Sequence, residues 1–363
     1  MNSNSTNFRL LFVAGRELSY SRNAVLLRAL RRNGWEVDTI GFHTSVSSIL
    51  ATSLQLSLLI MKKLLLQKYQ LIVAGFYSYL LLPLIKVMTK TPLLFDAFIS
   101  NYDTLCYDRQ VIHPSSVLGR GIYWFDYWSC RLATHLLLDT PHHAQYFVDT
   151  FRLDPERVSW LPVGCNEDIF QPSQPALNRK DSVVLYYSTF LPLHGVDVIL
   201  DAADRLRAYP IRFRLIGEGP LRRSMQARAQ QLRLENLEFV PPVSLSDLAK
   251  EITNADICLG GHFGKSEKSQ RVVPGKIYQM MASKRAIIAA NSPANRSLIG
   301  NTESILLVPP NHSDALAQAI LTLHENPQFR FHLAESALKR YLECCSEQVI
   351  AARLSDVIAK FIH

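Results

Sequence analysis

One pattern constrains this chain more than any other, and it occurs twice: short, continuously apolar runs bounded by glycine or polar turns, alternating with longer stretches of helical periodicity. Continuous apolar runs of strand length read as strands buried on both faces. Their alternation with helices implies a parallel sheet covered by crossover helices. The first series comprises RLLFVAG (9–15), EVDTIGF (36–42), YQLIVAGF (69–76), PLLFDAF (92–98), THLLLDT (134–140) and RVSWLPVG (157–164), with a helix expected from Asn23 to Asn33 and ended by Gly34. The second comprises SVVLYYS (182–188), IRFRLIGEG (211–219), LEFVPPV (237–243), ADICLGG (255–261), RAIIAA (285–290) and SILLVPP (304–310), followed by helical spacing from His312 onward. Between the two series lies a stretch rich in proline and polar residues and without apolar periodicity, expected to be a linker at about 166–181.

The expected fold class is therefore α/β, with two doubly wound Rossmann-like domains in tandem: an N-terminal one over 1–170 and a C-terminal one over 171–363, whose last helix is free to return to the first domain. A chain of 363 residues is long enough for two cores. With 48% hydrophobic and 19% charged residues, disorder, collagen and coiled coil are excluded. The net charge of +8 is spread over both halves, and no helix-turn-helix, zinc-finger or RNA-binding signature accompanies it. Nucleic acid is thus excluded as a partner, whereas phosphorylated small molecules or an anionic membrane surface fit. Six cysteines without a CxxC pair read as reduced thiols, and so as those of a cytosolic protein. The N-terminal MNSNSTNFR shows no secretion signal and reads as a short frayed leader.

Between Asp38 and Asp96 there is no acidic residue, while lysines stand at 62, 63, 68, 86 and 90 around two leucine-rich runs, SILATSLQLSLLIMKKLLL and YLLLPLIKVM. Both are too short or too polar to span a bilayer. They are either crossover helices buried on the sheet or an in-plane docking surface for anionic lipid, and exposure of one apolar face would favour docking.

Ligands of open α/β sheets bind at the carboxyl ends of the strands, where helix N-termini present N–H groups to anions. Three such places carry suitable residues. GRELSYSRN (15–23) offers a glycine turn with Arg16, Ser19, Ser21 and Arg22; it is not GxGxxG, so a nicotinamide site is not expected. Gly217-Glu218-Gly219-Pro220 follows an apolar strand, where small residues let a flat ring approach the backbone or simply serve a turn. GGHFGKSEKSQRVVPGKIYQMMASK (260–284) gathers Lys265, Lys268, Arg271 and Lys276 on a glycine-rich loop running into a helix that begins near Pro274, a natural place for a diphosphate. His142 and His143 adjoin Asp139 without a third partner, and no metal-ligand spacing, Walker loop or nucleophile elbow occurs, so no metal is expected.

Together, the GEGP turn, the ADI strand, and the helix Tyr278-Gln279-Met280-Met281-Ala282-Ser283-Lys284 resemble GT-B glycosyltransferases of glycosyltransferase family 4 over about Arg9 to Leu342. One bacterial branch is similar in three further motifs: Phe190-Leu191-Pro192-Leu193-His194-Gly195-Val196; Lys268 to Lys276; and Phe95, Asp96, Ser100, Tyr102, Asp103, Thr104, Asp108 and Arg109 in order. The resemblance implies a retaining transferase of hexosyltransferase type that moves a sugar from a nucleotide diphosphate sugar to an acceptor hydroxyl in polysaccharide or lipid-linked precursor synthesis, without a required cofactor. It implies donor contacts from Gly15, Arg16, Ser188, Thr189, His194, Gly217, Glu218, Gly219, Arg271, Gly275, Lys276 and Gln279. Ser19, Arg22, Ser100, Asp103 and Arg109 would hold the acceptor, and Asp96, Arg271 and Lys276 would be catalytic. Four positions depart from the family, two of them most strongly: Arg271 stands where a glutamate usually holds the donor sugar, and His194 stands for the usual lysine. Gln279, in place of a second glutamate, can still bond two ribose hydroxyls. Asp96 stands where the family frequently has an active-site histidine and is expected to line the interdomain cleft. The lost glutamate and lysine keep open an alternative, a catalytically silent GT-B subunit of a glycosyltransferase complex. The protein is expected to be cytoplasmic, with peripheral contact at the cytosolic membrane face.

Overall fold

Neighbouring residues of a strand point to opposite sides of a sheet, and in the first half of the chain both sides are apolar. The computed structural model describes residues 8–42, 49–174, 181–300 and 302–362; most of the expected leader and positions 175–180 of the expected linker lie outside them. β1 (Arg9–Glu17), β2 (Glu36–Phe42), β3 (Leu71–Ala74), β4 (Leu93–Asp96), β5 (His135–Leu138) and β6 (Val158–Trp160) form one parallel sheet in the order β2-β1-β3-β4-β5-β6. Leu10, Phe12, Leu71, Val73, Leu94 and Leu137 face α1 (Ser21–Arg32). Leu11, Val13, Ile72, Phe95, Leu136 and Leu138 face the layer of α2 (Ile49–Leu66), α3 (Leu82–Met88), α4 (Val117–Leu132) and α5 (Pro141–Phe151). Each such fully buried side chain contributes roughly 1.5–3 kcal/mol, which is why continuous apolar runs settle here.

The second half repeats the plan. β7 (Ser182–Ser188), β8 (Ile211–Gly217), β9 (Leu237–Val240), β10 (Ile257–Gly261), β11 (Ala286–Ala290) and β12 (Leu306–Val308) pair in parallel in the order β12-β11-β10-β7-β8-β9. Its helices are α6 (Val196–Arg205), α7 (Arg222–Gln231), α8 (Leu245–Asn254), α9 (Glu267–Arg271), α10 (Gly275–Ala282), α11 (Pro293–Ile299), α12 (Ser313–Glu325) and α13 (Pro327–Cys344). A final helix, α14 (Glu347–Ala359), buries Ile350, Leu354, Val357 and Ile358 in the same core as α1. The chain accordingly divides into one unit of Met1–Gly164 with Glu347–His363 and another of Cys165–Ser346. The division falls at Gly164/Cys165, a few residues before the expected boundary.

All twelve expected strands are present, most of them shorter than their apolar runs because flanking residues enter turns. β1 is longer than expected. It continues past Gly15, which the sequence suggested as a turn, through a bulge that brings Glu17 opposite Phe42. In both sheets the strand order reverses beside the first strand of the unit, between β1 and β3 and between β7 and β10. Crevices for ligands open at such reversals.

Candidate functional site

In the second unit the reversal between β7 and β10 is where the sequence motifs meet. The loop after β7 is clipped to the loop after β10 by backbone bonds from Phe263 N–H to the His194 carbonyl (3.2 Å) and from Gly264 N–H to the Leu193 carbonyl (3.1 Å). Gly195 turns the chain with φ of 63°, and a Cβ there would come within 2.4 Å of the Gly264 nitrogen. Gly217 and Gly219 are required by a similar close approach: a Cβ on either would meet the carbonyl oxygens of Ser188 and Thr189 at 1.9 and 1.8 Å. Those two glycines therefore serve the packing of one strand end against the next, while Glu218 and Thr189 stand exposed. Ser188 Oγ accepts the Phe190 N–H at 3.1 Å.

Lys276 occupies the first turn of α10. Its stem is partly exposed, but the Nζ atom is buried and has no hydrogen-bond partner. What it does have is aromatic company, lying 4.1 Å from the ring centre of Tyr186 and 5.7 Å from that of Tyr187. Burial draws its pKa from the ordinary lysine value down to about 7. Beside it the imidazoles of His194 and His262 stack with centroids 5.3 Å apart. Burial, then Lys276, hold both well below the usual histidine range, so the ammonium is the positive charge of this cluster. His194 Nδ1 accepts the Leu191 N–H at 3.1 Å, which puts its proton on Nε2; His262 Nδ1 is buried without a partner. The sequence reading missed His262, although its place directly after the β10 run was a usable signal.

The helix N-termini around this cluster differ from the rest of the unit. α8, α9, α11, α12 and α13 each begin with a side-chain cap, from Ser244, Ser266, Ser292, His312 and Asn326. α6 and α7, the first α-helices after β7 and β8, and α10, which follows α9, have none. Gly275 opens α10, and a Cβ there would meet nothing within 4 Å, so open space lies in front of this helix start. Arg271 ends α9 and sits 3.7 Å from Glu267, a long ion pair. Gln279, one turn after Lys276, accepts from the Tyr187 hydroxyl through Oε1 at 2.6 Å, leaving its amide NH₂ to donate elsewhere. An uncapped helix start, a buried unpaired ammonium and neutral imidazoles make a receptor for an anion with several oxygens.

In the corresponding crevice of the first unit, several of the expected residues are engaged inside the fold. Arg22, expected to hold an acceptor, is fully buried. Its Nε and Nη2 donate to Asp96, the closest contact being 2.9 Å, and its remaining N–H groups go to the carbonyls of Leu138, Leu161 and Pro162. All five donors are used inside the fold. Asp96, expected to line the cleft, has a side chain with 0% exposure in this ion pair. Burial pushes its carboxyl up from the ordinary value and the Arg22 guanidinium pulls it back down. Its partner is thus Arg22 of α1, whereas Arg109 stands exposed. Ser100 and Asp103 are also buried: Ser100 Oγ donates to Asp126 at 2.7 Å and accepts the Asp103 N–H at 3.0 Å. Asp126, which also receives Asn101 and the Tyr102 N–H, is pushed up to about 6 by burial against those bonds. Of the remaining first-unit candidates, Arg16 and Ser19 are exposed, Arg16 pairing with Glu17, and the Gly15 N–H donates to the Phe76 carbonyl at 3.1 Å. Around them the rings of Tyr20 and Phe76 stack at 4.6 Å beside Phe98, an aromatic cluster the sequence reading did not single out. Among the described residues no group of three His, Cys, Asp or Glu could hold a metal ion.

Two six-stranded parallel sheets, each reversing its strand order beside its first strand, form a fold shared with known glycosyltransferases. Residues 181–326 match the family model Glycosyl transferases group 1. Among solved structures, sucrose-phosphate synthase of Thermosynechococcus elongatus is similar with a TM-score of 0.75 at 16% identity, covering 97% of this chain and 98% of that one. Anabaena HepE in complex with UDP is similar with a TM-score of 0.69 at 14% identity, covering 97% and 99%. Among sequences, the O-antigen chain mannosyltransferase C of Escherichia coli is 26% identical over 189 residues, 50% of this chain and 49% of its own length. The chain spans about half the length of the curated relatives it matches.

Proposed function

We propose that this protein is a retaining glycosyltransferase that moves a sugar from a nucleotide diphosphate to an acceptor hydroxyl, within polysaccharide or lipid-linked precursor synthesis on the cytosolic side of a membrane. The observation that carries the donor half is the buried, unpartnered ammonium of Lys276 at an uncapped helix start. A donor diphosphate in front of Gly275 would accept from Lys276, Arg271 and the first N–H groups of α10, and His194 Nε2–H is a further donor. Gln279 is assigned to the ribose hydroxyls. In the transfer, the bond from C1 to the β-phosphate oxygen breaks, a bond from C1 to the acceptor oxygen forms, and the acceptor proton leaves with the diphosphate. Negative charge grows on the departing diphosphate, which fixed cations and a helix dipole stabilise more strongly as it develops. Since HepE, a similar structure, was solved with UDP, a uridine nucleotide is the first donor to test.

We assign Asp96 as a positioning residue: it holds Arg22, and through it the ends of β5 and β6, in the first unit. The acceptor is proposed to be amphiphilic. Calorimetric titration with uridine, guanosine, thymidine and adenosine diphosphates tests the reading: one of them binds, and Arg271→Ala weakens it at least about tenfold, the loss of one charge-assisted bond of roughly 1.5–3 kcal/mol. No binding at millimolar concentration would return the protein to the silent-subunit alternative.

A further inference from the structure

The layer of α2, α3 and α4 carries large apolar side chains on its outer side as well as on the side that meets the sheet. α2 buries Leu56 and Ile60, one turn apart, against the sheet. On the opposite side of the same helix, Leu54, Leu58, Met61 and Leu65 recur at four, three and four residues and form a stripe pointing to solvent, Leu65 at 74% exposure. α4 does the same with Val117, Gly121, Trp124 and Trp128, Trp128 at 59% exposure. Its one carboxylate, Asp126, points inward to hold the loop at Ser100–Tyr102. On α3 and the turn before it, Leu80 and Val87 are exposed, Val87 at 86%. The three helices are neighbours: α3 packs against both α2 and α4, and all three cover the same face of the sheet.

Among the described residues the first unit exposes seventeen large apolar side chains and the second unit four, so this greasiness belongs to one half of a molecule whose halves share a topology. The charge around it has one sign. Lys62, Lys86, Lys90 and Arg120 are exposed on these helices or at their ends, and the outer faces carry no carboxylate. No described helix is long and apolar enough to cross a membrane. Apolar stripes parallel to a surface, basic residues at their margins, and tryptophans backed by Tyr123 and Tyr127 are what an in-plane interface with an anionic bilayer calls for.

We infer that the outer face of α2, α3 and α4 docks in the plane of an anionic phospholipid bilayer. This deepens the proposed acceptor class, since the first unit would then meet an amphiphilic acceptor where it resides; it is independent of the donor assignment. α4 completes a surface of which the sequence showed only the leucine-rich part.

The test is flotation of the full-length chain with phosphatidylcholine vesicles containing about one-third phosphatidylglycerol, and with pure phosphatidylcholine vesicles. The chain floats with the anionic vesicles and remains largely unbound with the neutral ones, tryptophan emission shifts to the blue, and raised salt weakens the association. Leu58→Gln with Leu65→Gln lowers the bound fraction roughly tenfold, and Trp124→Ser with Trp128→Ser does the same from the other helix. Both variants keep the parent's melting temperature and nucleotide binding. Absence of the chain from the anionic fraction, or equal flotation by the leucine variant, would overturn the inference. So would a dimer in sedimentation that the leucine variant dissociates, because a second copy would then be the occupant of this face. Nucleotide titration of the same preparations shows whether a failure here leaves the donor reading standing.

Discussion

Arg22 and Lys276 make an instructive pair. Each is a buried cation in the first turn of the helix at the carboxyl end of a sheet, beside the point where the strand order reverses, one in each unit. Every donor of Arg22 is used by Asp96 and three carbonyls of its own unit, whereas the ammonium of Lys276 has only two aromatic rings. A buried charge with all its bonds made is part of the architecture. A buried charge with none is held at a cost that a ligand can offset. The same topology has thus been closed in one unit and left open in the other.

Removing each cation should therefore act in opposite directions, and the largest effect belongs to the closed site. Arg22→Met leaves a buried carboxylate unpaired and should destabilise the first unit by about 3–5 kcal/mol. Asp96→Asn, which strands the guanidinium, should lower the melting temperature by a comparable mechanism while nucleotide binding to the second unit persists. The double change Arg22→Met with Asp96→Leu should recover much of the loss, as replacing a whole buried pair usually does. If Asp96→Asn instead melts like the parent but loses turnover, the carboxylate touches the reaction and the closed-site description is wrong.

At the open site, Lys276→Met should raise the melting temperature slightly, since an unpaired buried charge is removed, and weaken nucleotide diphosphate binding by about tenfold to a hundredfold. The lysine should also write itself into pH profiles. Its folded pKa of about 7 lies below the ordinary lysine value of 10.5. From pH 7 to about 10.5 the unfolded chain therefore binds more protons than the folded one. The stability of the free protein should rise with pH across that window, with the full penalty present below pH 7. A diphosphate prefers the charged form, so affinity should fall above pH 7 by at most about tenfold per pH unit, with proton uptake on binding. Lys276→Arg keeps its charge and should flatten that profile; a pH-independent parent would contradict the assignment.

The smallest effect is expected at Gln279. Gln279→Ala should cost about 1–3 kcal/mol of nucleotide affinity through lost hydroxyl bonds. Gln279→Glu should retain binding, because a carboxylate still accepts from Tyr187 and from a ribose. Equal binding by the alanine variant would place the ribose elsewhere.

The fold was legible because both sheets are buried on both faces, so each strand announces itself as an apolar run such as LLFVA or AIIAA. The α10 site was legible for a local reason: glycines, cations and a proline before a helical run stand within one short stretch. Arg22 was not legible. Ser19 to Arg22 reads as a polar surface loop, and the partner that buries the arginine is Asp96, 74 residues further on. Tyr187 and Gln279, 92 residues apart, were hidden in the same way. The outward stripe of α4 was present in the sequence as Val117, Trp124 and Trp128, but helical phase alone does not say which side of a helix meets the sheet; with Asp126 inside and tryptophans outside, the usual polarity points the wrong way.

If the buried ammonium of Lys276 is held for a diphosphate, calorimetric titration of UDP into the parent and Lys276→Met, in two buffers of different ionisation enthalpy at pH 7.5, reads it out. The parent should bind with net proton uptake, and the variant, melting no lower, should bind at least about tenfold more weakly and without that uptake. Equal affinity in both proteins, or binding by the parent with no proton exchanged, would contradict it.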